Sequence, residues 1–265
     1  MTTTLFDIQN MACSYDNGNT VILSVSDLKI ERGKFYFIIG KSGIGKSTLL
    51  ESIGMMSDTI SPESKVMYCG QHQLKQLWQS DFAPEFRSRN YSFIFQENNL
   101  LENFRAGENM SFGLLLAGQN ISDARDKILP LMTAIDLPHE LYDKKIQNLS
   151  GGQRQRVAFV RALTAPFEVM FCDEPTGNLD PVVANKLMTV LRDQVIDQNK
   201  TAIIVSHSIE LADEYADHVV VIKNGKDSIG KINPSQLYHK RDKVWYDNEG
   251  NRMSEFYDFL RQQIS

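Results

Sequence analysis

A chain of 265 residues, 42% of them hydrophobic and 23% charged, has the balance of a soluble globular protein and is long enough for one large domain or two small ones. Its formal net charge of −5, with no long basic block, removes the electrostatic support that nucleic-acid binding needs. Three scattered cysteines, Cys13, Cys69 and Cys172, make no metal-ligand spacing and suit a reducing compartment.

The N-terminus, Met1 to Asp7, lacks the basic start and apolar middle of a signal peptide. From Leu5 to about Lys34, and again around Val66–Phe95, apolar and polar residues alternate between turn signals. This predicts a smaller antiparallel sheet beside a main one. Phe35–Ile39, Val169–Cys172, Ala202–Val205 and Val219–Ile222 are short β-branched or aromatic runs bounded by Gly, Asp or His. They read as strands buried on both faces of a mostly parallel sheet, and each falls far short of the roughly twenty apolar residues of a membrane helix. Residues 97–155 have helical character, including Ala124–Ile135, with breaks expected at Pro130 and Pro138. They read as a helical subdomain inserted into the sheet domain. Asn224-Gly225, within Lys223–Lys226, signals a tight hairpin and an antiparallel edge after Val219–Ile222. The main domain is expected over residues 1–230, with 231–265 as a C-terminal extension. In that extension a hairpin at Lys243–Arg252, turning at Asp247–Gly250, precedes a helix with Met253, Phe256, Tyr257, Leu260 and Ile264 on one face.

The strand Phe35–Ile39 runs into Gly40, Lys41, Ser42, Gly43, Ile44, Gly45, Lys46, Ser47 and Thr48, then into a helix. This is the phosphate-binding-loop pattern G-x-x-x-x-G-K-[ST] in the context it requires. Glycines let backbone N–H groups turn onto phosphate oxygens, and the helix N-terminus adds its dipole. Lys46 is placed to reach the terminal phosphates and the Ser47 hydroxyl to ligate Mg²⁺.

Two carboxylates, Asp173 and Glu174, end the run from Val169. Alone, such a pair is usually a solvated turn. Beside a phosphate loop, Asp173 suits the holding of Mg²⁺ and Glu174 the activation of water as general base. His207 ends the next buried run, at the strand end where ligands of parallel sheets collect, in chain order for a sensor of the γ-phosphate. Between loop and acids lie Ser150, Gly151, Gly152 and Gln153, a good helix N-cap followed by two glycines: a second anion-binding helix terminus.

Together these segments resemble the ATPase subunit of an ABC transporter, from about Leu5 to Gly230. The resemblance implies an α/β ABC ATPase core with an antiparallel β-subdomain and an inserted helical subdomain. It implies ATP and Mg²⁺ as ligands, and two head-to-tail chains burying two ATPs, with Ser150–Gln153 of one over the γ-phosphate held by the other. It also implies that Gln96 contacts Mg²⁺ and relays to the helical subdomain, that Asn178-Leu179-Asp180 crosses the dimer interface, and that Tyr15 stacks on adenine. Taken alone, Asp180 before Pro181 is an ordinary helix N-cap, and Tyr15 is an ordinary core or surface aromatic.

Asp173–Asp180, Phe95–Leu101 and Gly107-Glu108-Asn109 further resemble the lipoprotein-releasing, macrolide-export and cell-division group of ABC ATPases. That group works from the cytoplasmic face of the inner membrane through an integral membrane partner. Lys41 and the length of residues 231–265 depart from the group's pattern. The spacing between Gln96 and Leu149 leaves no room for the long coiled coil of the DNA-repair type. A soluble ATPase of iron–sulfur cluster assembly and an adaptor that binds ATP without turnover remain alternatives. Leu100, Leu101 and Phe104, read at helical spacing, are the candidate contact with a membrane subunit.

Overall fold

The computed structural model describes residues 3–16, 19–119, 121–177, 179–225 and 229–264. Along the chain run β1 (Thr4–Cys13), β2 (Leu23–Glu31), β3 (Phe35–Ile39), α1 (Lys46–Ile53), β4 (Lys65–Tyr68), β5 (His72–Gln73), α2 (Leu74–Trp78), α3 (Ala83–Asn90) and β6 (Tyr91–Ile94). Three helices follow, α4 (Ala106–Leu116), α5 (Ile121–Ala134) and α6 (Gly151–Thr164), and then β7 (Val169–Asp173), α7 (Pro181–Asp197), β8 (Thr201–Val205), α8 (Ile209–Tyr215) and β9 (His218–Val221). The chain closes with β10 (Lys223–Asn224), β11 (Gly230–Ile232), β12 (Leu237–Arg241), β13 (Val244–Tyr246), β14 (Arg252–Met253) and α9 (Phe256–Ile264).

Two sheets form the α/β core. One has the order β10-β11-β2-β1-β4-β5, and the other β14-β13-β12-β9-β3-β8-β7-β6. In the second sheet β9, β3, β8, β7 and β6 are parallel. Every residue of β3 and β8 is buried, as expected of strands covered on both faces. The two-residue period sorts their side chains: Phe35, Phe37 and Ile39 face the helices, while Tyr36 and Ile38 join Phe6, Ile8 and Val25 between the sheets. Because the five strands are parallel, their C-terminal ends open on one edge. Asp173 forms one such end, and Gly40, Gln96 and His207 follow others, which is what assembles the site.

Several expectations are corrected. The segment expected to be antiparallel around Val66–Phe95 does so only through β4 and β5. Residues 74–90 form α2 and α3 on buried Leu74, Leu77 and Phe86, and β6 joins the main sheet as a parallel edge beside β7. Pro130 does not break its helix: α5 continues through it because Ala124, Ile128 and Met132 lie in the core on one face, and that packing offsets the lost hydrogen bond. As expected, Val219–Val221 lies in the parallel sheet within β9, and an antiparallel pair, β10 with β11, follows it in the other sheet. The hairpin there spans more than a two-residue Asn-Gly turn, and Lys226 lies outside the described residues.

Residues 237–253 continue the main sheet. β12 pairs antiparallel with β9, and β13 and β14 extend it as the hairpin read at Lys243–Arg252. α9 returns onto the same body through Phe256 and Leu260, which are 3% and 0% exposed. Met253 belongs to β14 rather than the helix, and Tyr257 points outward, donating its hydroxyl to Glu210 Oε1 at 2.6 Å. Phe259, not Tyr257, completes the buried face.

Candidate functional site

β3 delivers the chain into a loop that must turn sharply. Gly43 and Gly45 have φ of +74° and +99°, conformations that L side chains rarely adopt. A side chain at Gly45 would also approach Leu23 Cβ at 3.3 Å. α1 then starts at Lys46 with no side-chain cap and no acidic residue in its first turn, so its N-terminus keeps its positive end for an anion. Lys46 is buried, and its Nζ donates to the carbonyls of Gly40 (2.8 Å) and Lys41 (2.9 Å). Burial lowers its pKa, while the facing Glu174 and Asp173 oppose that shift.

Opposite the loop, β7 ends at Asp173. Burial raises the Asp173 carboxyl above its ordinary range, opposed by the Ser47 hydroxyl that bonds to it. Glu174 has a φ of 46°, a left-handed turn that swings its side chain out of the strand direction, while its N–H still donates to Val205 O at 2.9 Å. One carboxylate oxygen, Oε2, accepts from the His207 backbone N–H at 3.4 Å. The other, Oε1, makes no hydrogen bond of good geometry but faces His207 Nε2 at 3.4 Å. Burial raises the Glu174 pKa, and burial together with the Lys46 charge lowers that of His207. A carboxylate whose proton affinity is raised, beside an imidazole whose proton affinity is lowered, can take a proton from water and orient the group receiving the attack.

One cleft therefore gathers Ser42, Gly43, Gly45, Lys46, Ser47, Thr48, Gln96, Asp173, Glu174 and His207, with Val205 as an apolar wall that composition alone did not mark. Gly40 and Lys41 meet it through the carbonyls that hold Lys46, and Ile44 is buried beneath the loop. Ser47, Asp173 and Gln96 present oxygen donors to the same space, a set that fits a small hard cation such as Mg²⁺. Tyr15 stands at the rim, 56% exposed, its hydroxyl donating to Glu51 Oε2 at 2.9 Å and lying 3.3 Å from the Thr48 hydroxyl. Its ring is free to take a flat apolar partner. Glu51 is an addition that no sequence pattern marked.

Two groups lie outside the cleft. Ser150 caps α6: its Oγ accepts from Gln153 N at 3.3 Å, and the Gln153 side chain accepts from Ser150 N at 2.9 Å. Among the described residues, nothing outside the helix's own start lies within 4 Å of the position a Gly151 side chain would take, and at Gly152 the nearest such atom is Leu179 Cδ2 at 3.7 Å. Asp180 caps α7 by accepting from Val182 N (3.1 Å) and Val183 N (3.0 Å). Asn178 lies outside the described residues.

Residues 23–177 match the ABC transporter family. The chain belongs to it. Similar proteins include the lipoprotein-releasing system ATP-binding protein LolD of Idiomarina loihiensis, 32% identical over 85% of this chain and 97% of that one. The macrolide export ATP-binding/permease protein MacB of Campylobacter jejuni is 35% identical over 79% of this chain but only 32% of its own length. Among solved structures, the dimeric bacterial ABC transporter cassette MJ0796 superposes with a TM-score of 0.77 at 28% identity, covering 89% of this chain and 99% of that one. The same cassette in a post-hydrolysis state bound to ADP and Pi gives 0.73 at 25% identity, with the same coverage. This ABC transporter subunit is thus an ATP-binding ATPase, similar to lipoprotein-releasing and macrolide-export proteins. No helix among its described residues is long and apolar enough to cross a membrane.

Proposed function

We propose that this ABC ATPase works as a pair of chains, two copies or one copy with a homologous subunit, that hydrolyse MgATP at two shared sites. The observation that carries the reading is a division of parts. Lys46, Asp173, Glu174 and His207 share one cleft, while Ser150–Gly152 presents an uncovered helix terminus elsewhere. A head-to-tail partner would set the helix terminus of one chain over the cleft of the other, the dipole end toward the phosphates.

Within one site, Lys46 and the loop N–H groups hold the phosphates, Ser47, Asp173 and Gln96 hold Mg²⁺, and Tyr15 stacks on adenine. Mg²⁺ supplies charge neutralisation across the terminal phosphates. Glu174 accepts the proton of the attacking water, and His207 holds the γ-phosphate in line with it. Asp180 fixes the start of α7 at the dimer boundary.

The work is delivered to an integral membrane permease-type subunit from the cytoplasmic face, in export, lipoprotein extraction or mechanotransmission. Supporting this is an exposed groove lined by Phe104, Phe112 and Leu115 together with Arg105 and Glu108. Residues 1–230 form the ATP-binding unit in this reading, and 231–265 an extension fused to its sheet.

The shared site is tested by mixing two inactive variants. Lys46→Ala and Ser150→Arg chains should each lack ATPase activity alone. Mixed, they form one site with an intact Lys46 and an intact Ser150, so activity should reappear. A mixture as inactive as its parts would contradict the sharing.

A further inference from the structure

Helix α6 begins at the exposed Ser150–Gly152 terminus, and two of its side chains reach away from the helix to backbone carbonyls of the catalytic loops. Gln155, only 2% exposed, donates from Nε2 to the carbonyl of Pro175 at 2.8 Å. Pro175 directly follows Glu174, whose left-handed φ of 46° aims the carboxylate into the cleft. About two turns further on, Arg161 donates from Nη1 to Asn99 O at 2.6 Å and from Nη2 to Asn98 O at 3.0 Å. Those carbonyls close the loop that begins at Gln96, and Asn99 also sits at a positive φ, 44°.

Both bonds have a directional logic. A carbonyl can only accept, so the Gln155 amide must face Pro175 with its nitrogen. The Arg161 fork spans two successive carbonyls, which a lysine ammonium cannot copy with the same geometry. Burial lowers the Arg161 pKa. This guanidinium is desolvated to hold backbone rather than to make an ion pair.

We propose that Gln155 and Arg161 are positioning residues for ATP hydrolysis, tying the Ser150–Gly152 end of α6 to Glu174 and to Gln96 of the same chain. The proposal rests on the shared-site reading above. An anion bound at the α6 terminus belongs to the partner's nucleotide. A rigid helix then carries its presence to the general base and the Mg²⁺-side glutamine of the other site. The two sites are coupled through α6, and each chain aligns its own Glu174 when it engages its partner's ATP.

The test compares Gln155→Leu, Gln155→Glu and Arg161→Met with Glu174→Gln in the full chain, measuring kcat, KM for ATP, the Hill coefficient and Tm. Gln155→Leu and Arg161→Met should lower kcat by ~10–100-fold, the scale of a misplaced catalytic group, with KM and Tm close to wild type and the Hill coefficient falling toward one. Gln155→Glu adds a readout that packing alone would not move. Only its protonated carboxyl can donate to Pro175 O, so its kcat relative to wild type should rise as pH falls. Wild-type kcat in both Gln155→Leu and Arg161→Met overturns the proposal. So does a kcat loss matched by a fall in Tm and a rise in KM, or a Gln155→Glu ratio flat with pH. Wild-type turnover by Glu174→Gln would instead overturn the underlying assignment of the base, which keeps the two failures distinct.

Discussion

His207 Nε2 lies 3.4 Å from Glu174 Oε1, at the ends of two adjacent parallel strands. The pair stands across the cleft from Lys46, and burial acts on each member in the direction that removes its charge. A site built this way holds its carboxylate in a costly state until a cation compensates it.

That cost has a sign that stability measurements can read. The folded-state pKa values of Glu174 and Asp173 are raised, so the native protein binds protons more tightly than the unfolded chain does. Their contribution is most favourable below the ordinary carboxylate pKa and is lost as pH rises through the raised folded values. Without nucleotide, Glu174→Gln and Asp173→Asn should therefore raise Tm at neutral pH. The gain should shrink as pH falls through the raised folded values and be gone below about 4, where the carboxyl is neutral in folded and unfolded chains alike. A Tm lowered at neutral pH would mean that the carboxylates are compensated within the chain.

Lys46→Ala should abolish ATP binding or weaken it severely while the fold persists. Its ammonium balances phosphate charge in a site that backbone dipoles alone only partly neutralise. The Gly40 and Lys41 carbonyls that it holds would be left to water at the cleft mouth. Calorimetric titration with ATP checks this, and wild-type affinity in a folded variant would refute the role of the loop.

Replacing Leu101 and Phe104 with serine should release the membrane subunit from detergent extracts and leave basal ATPase turnover largely intact. The two side chains are 38% and 45% exposed, so little core is lost. Leu100, Leu101 and Phe104 do not form the helix expected of them: they lie in a turn, with Leu100 packed inward and the other two facing out. Co-purification with retained turnover is the readout, and loss of folding would assign them to the core.

Trp245 ties the C-terminal strands to the helix that follows His207. It is 4% exposed, stacks on Phe256 with ring centroids 4.3 Å apart, and donates to Asp213 Oδ1 on α8 at 2.6 Å. Lys240 also bonds the Asp213 carbonyl. Trp245→Ala should cost about 3–5 kcal/mol, the range for a buried aromatic, whereas Trp245→Phe should lose mainly the hydrogen bond, about 1 kcal/mol. Chemical denaturation measures both, and a neutral Trp245→Ala would mean that residues 237–264 are dispensable to the body.

The cleft was legible in the sequence because each of its parts is local. A glycine loop follows a buried strand, two acids end another, and a histidine ends a third; parallel pairing then brings those ends together. What stayed hidden is non-local. Nothing near Gln155 or Arg161 in sequence says that their side chains bond Pro175 and Asn98-Asn99. The fate of β12–β14 was hidden likewise, since a hairpin signal does not say which sheet edge it joins. Pro130 and the run at Leu100–Phe104 misled because tertiary packing overrode local propensity.

The most direct measurement of the central claim is light scattering of Glu174→Gln with and without MgATP. Glutamine keeps the shape of the side chain and loses the basic oxygen, so turnover should fall by ~10²–10⁴-fold while ATP stays bound. ATP held between Lys46 of one chain and Ser150–Gly152 of the other should then hold the two together. A dimer with MgATP, a monomer without it, and a monomer in both conditions once Ser150→Arg is added are the results expected. Glu174→Gln that stays monomeric at saturating MgATP, or turns over at the wild-type rate, would contradict the shared-site account.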